Sequence, residues 1–443
     1  MIIKPIKATT DEGAATLASL NNRFQLADPK CQEIVADILQ NVQSRGDGAV
    51  LEYCRKFDSP DMAQETMKVS QAEMDAAYGL VDNAILASIR LAKERIFEFH
   101  QREKEDSWMM TRKDGTITGR MVQPVASAGL YVPGGQGGKT PLVSSVLMNG
   151  IPAVIAEVKQ LVMVTPASAD GSVNPALLVA AQEIGITEVY KVGSAWAIGA
   201  LAFGTETIPR VDVIVGPGNQ FVAEAKRQIM GRVRIDMIAG PSEVLIIADE
   251  KATPAHCAAD MLAQAEHDPQ ALSILLTTSM AVAEATVAEL ERQLPLLSRE
   301  DIARKSLEDR GVIVVCESVD ECIGYANAIA IEHLELMVAE PFLRLGQIEH
   351  AGAIFLGDYS PEACGDYVAG PNHVLPTMGT ARISSALGVE TFLKKSSIIA
   401  YSKEAFLADA DHIQRLANLE GLSAHARSVA VRLGKREESA EQG

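Results

Sequence analysis

Four short segments of the chain hold side chains that could do chemistry together. AQAEHDPQA (263–271) places Gln264, Glu266, His267 and Asp268 within five positions, just before the apolar run LSILLTT. An amide, two carboxylates and an imidazole suit a metal or catalytic site, and equally a solvated helix end. AIEHLELM (330–337) sets Glu332 and His333 inside an apolar run. A buried acid and imidazole need partners. An adjacent pair suits general acid–base work, because histidine titrates near neutrality and burial raises a glutamate. A core histidine beside a surface glutamate is the plainer alternative. GDYSPEACGDYVAGPNHVLPT (357–377) is dense in turn residues and carries Asp358, Glu362, Asp366 and His373. A long loop with several ligand types is more often functional than a generic linker, and Asp and His both ligate zinc or manganese. GLSAH (421–425) puts His425 in a helical tail with Glu420 beside it; alone, His425 reads as an exposed helix residue. His100, His256, His350 and His412 sit in charged or amphipathic surroundings and read as structural or exposed. A mixed His/Asp set without cysteine is what catalytic zinc centres tend to use.

Two glycine-rich turns follow strand-like runs. VDVIVGPGNQFVAEAK (211–226) reads as strand, Gly-Pro-Gly turn and helix, and free N–H groups at a helix start can hold a phosphate. The dinucleotide fingerprint G-x-G-x-x-G fails at its last position, Phe221, so an ordinary tight turn is equally compatible. GLYVPGGQGGKT (129–140) lets the backbone approach a ligand closely, but Gly134 is one place too late for the phosphate-loop spacing. Tyr131, just before it, can stack on a planar ring or pack.

These segments need elements to position them. Residues 1 to about 115 read as helical, with Ile34, Ile38, Leu39 and Val42 on one face and Ile85, Ile89 and Ile96 on another. From Val125, short β-rich runs alternate with helical stretches: AGLYVPGG, LVMVTP, VYKVG, VDVIVGPG, VLIIAD, LSILLTTS, VIVVC and AIFLGD. That alternation predicts βαβ units and mostly parallel sheets. So many strands suit two doubly wound domains, joined near AGPSEVLIIAD. Past about residue 390 the chain reads as helical again. The expected division is a helical region at 1–120, two α/β domains at 121–243 and 244–389, and a helical tail at 390–443.

Bulk properties narrow the class. The 443 residues carry a net charge of −18, so no summed positive field exists to neutralise nucleic-acid phosphates or an anionic membrane. Six cysteines without a C-x-x-C pair are too sparse for a disulfide framework or a thiolate zinc site. The N-terminus MIIKPIKATTDEG has no apolar h-region, and no run of about 18 apolar residues occurs. A cytoplasmic enzyme with no membrane span is the expectation.

Taken together, the blocks GPGNQFVAEAKR, DMIAGPSEVLIIAD, QAEHDP, EHLEL, GAIFLGDYSPEACGDY and GPNHVLPTMGTARISS, in this order, resemble the histidinol dehydrogenases. The resemblance runs through most of the chain. It implies an α/β fold of two incomplete Rossmann-like doubly wound domains with helical N- and C-terminal extensions. It implies a zinc-dependent homodimer that oxidises L-histidinol to L-histidine through an aldehyde, in two successive NAD-dependent steps. Residue by residue, Gln264, His267, Asp366 and His425 match metal ligands, His425 coming from the partner subunit. Glu332 and His333 match the catalytic acid–base pair. Ser242, Gln264, His267, His333, Asp366, Glu420 and His425 match substrate contacts, with Glu420 again reaching across. Tyr131 and Asn219 match cofactor contacts. Trp196 stands where the family usually has a glutamine near the cofactor, offering an indole that can stack. Residues 134–145 form a loop longer than usual, and Ile331 replaces a frequent proline, with a local backbone effect expected. On a helix, Gln264 and His267 share a face and can meet one ion, which turns Glu266 and Asp268 outward. A relative acting on another polar alcohol, such as sulfopropanediol, is the alternative; it would need a new basic residue, for which Lys139 is the candidate.

Overall fold

The apolar runs form strands because both of their faces are covered. In strand Glu243–Ala248, Val244, Ile246 and Ala248 pack against helices Pro254–Ala265, Met280–Gln293 and Glu300–Arg310, while Leu245 and Ile247 face helices Asp11–Leu20 and Val319–Ile329. A strand buried on both faces reads as a continuous apolar run rather than an alternating one. The computed structural model describes residues 2–21, 23, 28–134 and 140–434, and divides into two compact units, Met1–Lys104 with Val125–Phe392, and Glu105–Pro124 with Leu393–Gly443.

The first unit is mixed α/β with two parallel sheets. One has six strands, ordered Ile6–Lys7, Val312–Val315, Leu272–Thr277, Glu243–Ala248, Ile331–Met337, Ala351–Leu356. The other has five, ordered Glu188–Tyr190, Gln160–Val164, Ser127–Tyr131, Val213–Val215, Arg234–Ile235. All pairings in both are parallel. Without the short N-terminal strand, each sheet runs third, second, first, fourth, fifth in chain order. The N-terminal helices close a core over the five-stranded sheet: Val35, Leu39 and Val42 of helix Pro29–Arg45 meet Ala195, Ile198 and Ala202 of helix Ser194–Phe203.

All eight expected β runs contain strands. Ile331–Met337 was not among them, because Glu332, His333 and Glu335 interrupt its apolar pattern. Ile331 is buried and pairs with Ala351 in the ladder.

The second unit departs from the helical reading. It contains an antiparallel sheet in which Ile117–Pro124 lies between Leu393–Ala400 and Trp108–Thr111. The expected boundary at 120/121 therefore falls inside a strand, and the tail begins with one. These strands have mostly exposed side chains and no covered apolar face; a local hairpin, Trp108–Thr111 with Ile117–Pro124, takes the distant Leu393–Ala400 onto its other edge. Helices Lys403–Leu419 and Ser423–Arg432 follow. Among the described residues no helix is long and apolar enough to cross a membrane.

Candidate active site

Glu332 and His333 lie at the start of strand Ile331–Met337, beside Glu243 at the start of the neighbouring strand, with His333 in register with Val244. The pair therefore sits at the amino end of the six-stranded sheet, away from the carboxyl end that open α/β sheets usually offer a ligand. Glu332 and His333 are buried, 5% and 4% exposed. Both hang on the backbone of Glu243: its N–H donates to Glu332 Oε2 at 2.7 Å, and its carbonyl lies 3.0 Å from His333 Nδ1. A carbonyl only accepts, so Nδ1 carries the proton and the lone pair is on Nε2. His333 Nε2 is buried and has no partner.

The titration behaviour follows from burial. Desolvation pushes His333 down to about 3, helped by the nearby His267 and His373, against the bond to Glu243. Desolvation raises Glu332 well above the ordinary carboxylate range despite its backbone bond; Glu243 and Asp366 add repulsion. The carboxylates of Glu332 and Glu362 lie 3.7 and 3.8 Å from His333 Nδ1.

A second cluster adjoins this pair. Helix Glu362–Tyr367 presents Glu362 and Asp366 one turn apart on one face. Their carboxylates and the imidazole of His267 bring three ligand atoms within 4.8 Å of one another. Helix Pro254–Ala265 ends before His267, which lies in the following turn with its N–H bonded to the Gln264 carbonyl at 3.2 Å. The expected shared helix face is thus replaced by a helix end and its turn. Glu266 occupies the C-cap, and Asp268 accepts from Gln270 N–H at 2.8 Å, outside the trio. Gln264 is fully buried, and its amide nitrogen donates to the Glu362 carboxylate, at 3.0 and 3.1 Å.

Glu362 is the member that residue-type reasoning did not assign. Its one-turn spacing from Asp366 was the available signal. Burial raises Glu362 well above its ordinary value and Asp366 to about 6, with mutual repulsion adding to Glu362. His267 is more exposed, yet desolvation lowers its imidazole. Crowded carboxylates with raised pKa values and a neutral imidazole fit a divalent cation with nitrogen and oxygen ligands, zinc among them.

The remaining expected residues divide clearly. Half-buried Ser242 immediately precedes Glu243, and its carbonyl accepts from Leu272 N–H at 3.0 Å. Half-buried His373 has a buried Nε2 without a partner, and desolvation lowers it to about 4. Asp358 instead bonds Thr253 at 3.2 Å. Tyr131 ends strand Ser127–Tyr131; its hydroxyl is buried, accepts from Ser194 N–H at 3.1 Å and is pushed up to about 12 by desolvation. Asn219 is exposed and caps its own helix, its Oδ1 accepting from Phe221 and Val222 N–H at 3.0 and 3.2 Å. Two of the N–H groups offered for a phosphate are therefore already satisfied. Trp196 does not present a free indole: it is 5% exposed and stacks on Tyr53 and Phe57, each centroid 5.5 Å away. Stacking on a cofactor would require those rings to move. Glu420 and His425 are exposed residues of the second unit. Lys139 and the rest of 135–139 lie outside the described residues, while the last three positions of the expected 134–145 loop begin helix Val143–Ile155.

Fold and site define the class: a mixed α/β enzyme with a buried acid–base pair beside a candidate cation site. The family model described as histidinol dehydrogenase matches residues 21–433. The histidinol dehydrogenase of Desulfotalea psychrophila is 68% identical over 433 residues, 98% of this chain and 100% of its own length. That of Geobacillus kaustophilus is 50% identical over 419 residues, covering 95% of this chain and 98% of that one. The crystal structure of histidinol dehydrogenase from Elizabethkingia anophelis superposes with a TM-score of 0.89 at 38% identity, over 95% of this chain and 96% of that one. The chain belongs to the histidinol dehydrogenase family.

Proposed function

We propose that this chain oxidises L-histidinol to L-histidine through L-histidinaldehyde, in two NAD-dependent steps of histidine biosynthesis in the cytoplasm. The observation that carries the reading is the unpartnered, buried Nε2 of His333 beside the His267–Glu362–Asp366 cluster, in a chain matched by the family across residues 21–433.

The residues present account for both steps. His333, neutral and holding its lone pair on Nε2, takes the hydroxyl proton as the carbinol hydride departs. The nicotinamide of NAD supplies the hydride acceptor. Where ionised, the carboxylates of Glu332 and Glu362 stabilise the imidazolium that forms. Water then adds to the aldehyde, with Glu332 accepting its proton; one oxygen, Oε2, is held by Glu243 N–H, which leaves Oε1 to meet the water. The raised affinity of Glu332 for a proton makes it a stronger base once ionised. The hydrate is again an alcohol, and His333, once it has passed its first proton to solvent, repeats its role.

Gln264, His267 and Asp366 of one protomer, with His425 of its partner, would hold the metal, and Glu362 orients the Gln264 amide. When bound, zinc supplies a fixed positive centre that orients the substrate's imidazole and amine and lowers their proton affinity. Ser242, Gln264, His267, His333 and Asp366 form the substrate pocket, completed by Glu420 and His425 across a homodimer. Tyr131 and Asn219 border the cofactor, at the point where the five-stranded sheet reverses its strand order. The strand order that the two parallel sheets share supports two incomplete Rossmann-like doubly wound domains as the frame of these parts, Glu420 and His425 excepted.

The test is NADH formation from L-histidinol by the zinc-assayed protein. Turnover of histidinol to histidine is expected. Turnover of a sulfonated propanediol alone would overturn the reading.

A further inference from the structure

The acid–base pair hangs on the backbone of Glu243, and the side chain of Glu243 is itself clamped. Arg23 Nε donates to Glu243 Oε1 at 2.5 Å and Nη2 to Oε2 at 2.7 Å. The same guanidinium donates to the carbonyls of Leu20 at 2.9 Å, Ile329 at 2.5 Å and Ala330 at 3.3 Å. Those five bonds use all five N–H groups of an arginine, with its side chain 6% exposed and that of Glu243 2%. The N–H of Met378 adds a further donor to Glu243 Oε2 at 3.1 Å.

The segments joined in this way frame the catalytic pair. Ile329 ends a helix, and Ala330 turns with φ +52, a left-handed value uncommon for a side chain other than glycine. Glu332 and His333 follow after Ile331. Arg23 therefore grips the turn that launches their strand and, through Glu243, the neighbouring strand whose N–H and carbonyl hold them. A buried ion pair gives little net stability over an apolar pair of similar volume. A planar fork bonding a carboxylate and three carbonyls instead fixes relative position.

Resting on the functional reading above, we propose that Arg23 and Glu243 are positioning residues for the chemistry: the Arg23–Glu243 clamp sets the places of Glu332 and His333 without touching substrate.

Single removal of either charge strands the other in the interior, so the test includes the double variant Arg23→Met/Glu243→Gln beside Arg23→Lys. In the zinc-loaded enzyme, kcat per active site for L-histidinol should fall about 10- to 100-fold, as for ångström-scale misplacement of a base. KM for histidinol and NAD should change little, and the solvent deuterium isotope effect on kcat should rise as proton transfer slows. Arg23→Lys, with three donors in place of five, should recover part of the loss. A merely structural role would lower the active fraction and leave kcat per site and the isotope effect unmoved. Imidazole nitrogen NMR, assigned with His333→Asn, reads the geometry directly: His333 is protonated at Nδ1 in the wild type and should lose that single tautomer in the double variant. This spectrum does not depend on the substrate, so a wild type inactive on histidinol would overturn the functional reading and leave the clamp testable. Wild-type kcat per site in the folded double variant, or an unchanged His333 tautomer, overturns the clamp.

Discussion

A histidine that is to take a proton must be neutral and must keep one ring nitrogen free, and His333 meets both conditions. Burial supplies the first, lowering it to about 3, and the Glu243 carbonyl supplies the second by claiming Nδ1. Glu332, held by one oxygen, is placed for a different proton. His333→Asn should therefore slow oxidation of both histidinol and histidinaldehyde, by about 10²- to 10⁴-fold. Glu332→Gln should slow the aldehyde step by a similar factor and the alcohol step much less. Steady-state rates with each substrate check this, and equal losses for Glu332→Gln on the two would refute the division of labour. Residue types made much of this legible. Glu332 and His333 are recognisable as chemistry from sequence because ionisable types are rare in apolar runs, and His267, Glu362 and Asp366 because several ligand types crowd short segments. Arg23 is not, since the groups it holds lie far away in the chain. Gln264 was the awkward member, a neutral amide among ionisable ligands. Its contact with Glu362 gives it a place: the carboxylate accepts from the amide nitrogen and ties Gln264 to the cluster.

The candidate metal cluster is made by two elements, the end of helix Pro254–Ala265 with its turn and the short helix Glu362–Tyr367. Neither is stable in this geometry at no cost, because three carboxylates with raised pKa values, Glu332, Glu362 and Asp366, converge there. The sign of the consequence is definite. A carboxyl raised on folding contributes stability that is complete below its unfolded value, about 4, and is lost as pH rises through its folded value, about 6 for Asp366. Metal-free protein should thus weaken from pH 5 to pH 8, while a bound cation offsets the charge. Chelation should lower the melting temperature by about 5–10 °C at pH 8 and by less at pH 6. Glu362→Gln should narrow the gap. Melting scans of chelated and zinc-loaded protein at both pH values decide it, and an equal drop at the two refutes the account. At this scale the sequence was informative where burial is two-sided: all eight apolar runs hold strands. It failed at helix ends, at the strand interrupted by Glu332 and His333, and in the antiparallel sheet of Trp108–Thr111, Ile117–Pro124 and Leu393–Ala400. There the side chains are mostly exposed, and backbone pairing, in a hairpin and with the distant Leu393–Ala400, defines the element without an apolar pattern to announce it.

At the scale of the whole molecule, the proposed site needs two copies of the chain. Glu420 and His425 are exposed in the second unit. That unit also leaves Leu416, Leu419 and Val431 of its helices exposed, at 62%, 82% and 61%, with Trp108, Met109 and Ile399 of its sheet. Large apolar side chains gathered on one small unit suit burial against another subunit. No local pattern in one chain could announce the cross-subunit role proposed for His425; by itself it reads as a surface helix residue. Complementation tests the arrangement. His333→Asn and His425→Asn homodimers should both be inactive. If each site takes His333 from one protomer and His425 from the other, a heterodimer of the two variants has one site with both defects and one with neither. Random mixing of equal amounts makes half of the dimers mixed, so the population should regain about a quarter of wild-type activity per protomer under two-fold symmetry. Zinc should occupy about half of the sites both before and after exchange, because His425 is a proposed ligand and His333 is not. If the site lies within a single protomer, every site in the heterodimer carries one defect, and subunit exchange restores nothing.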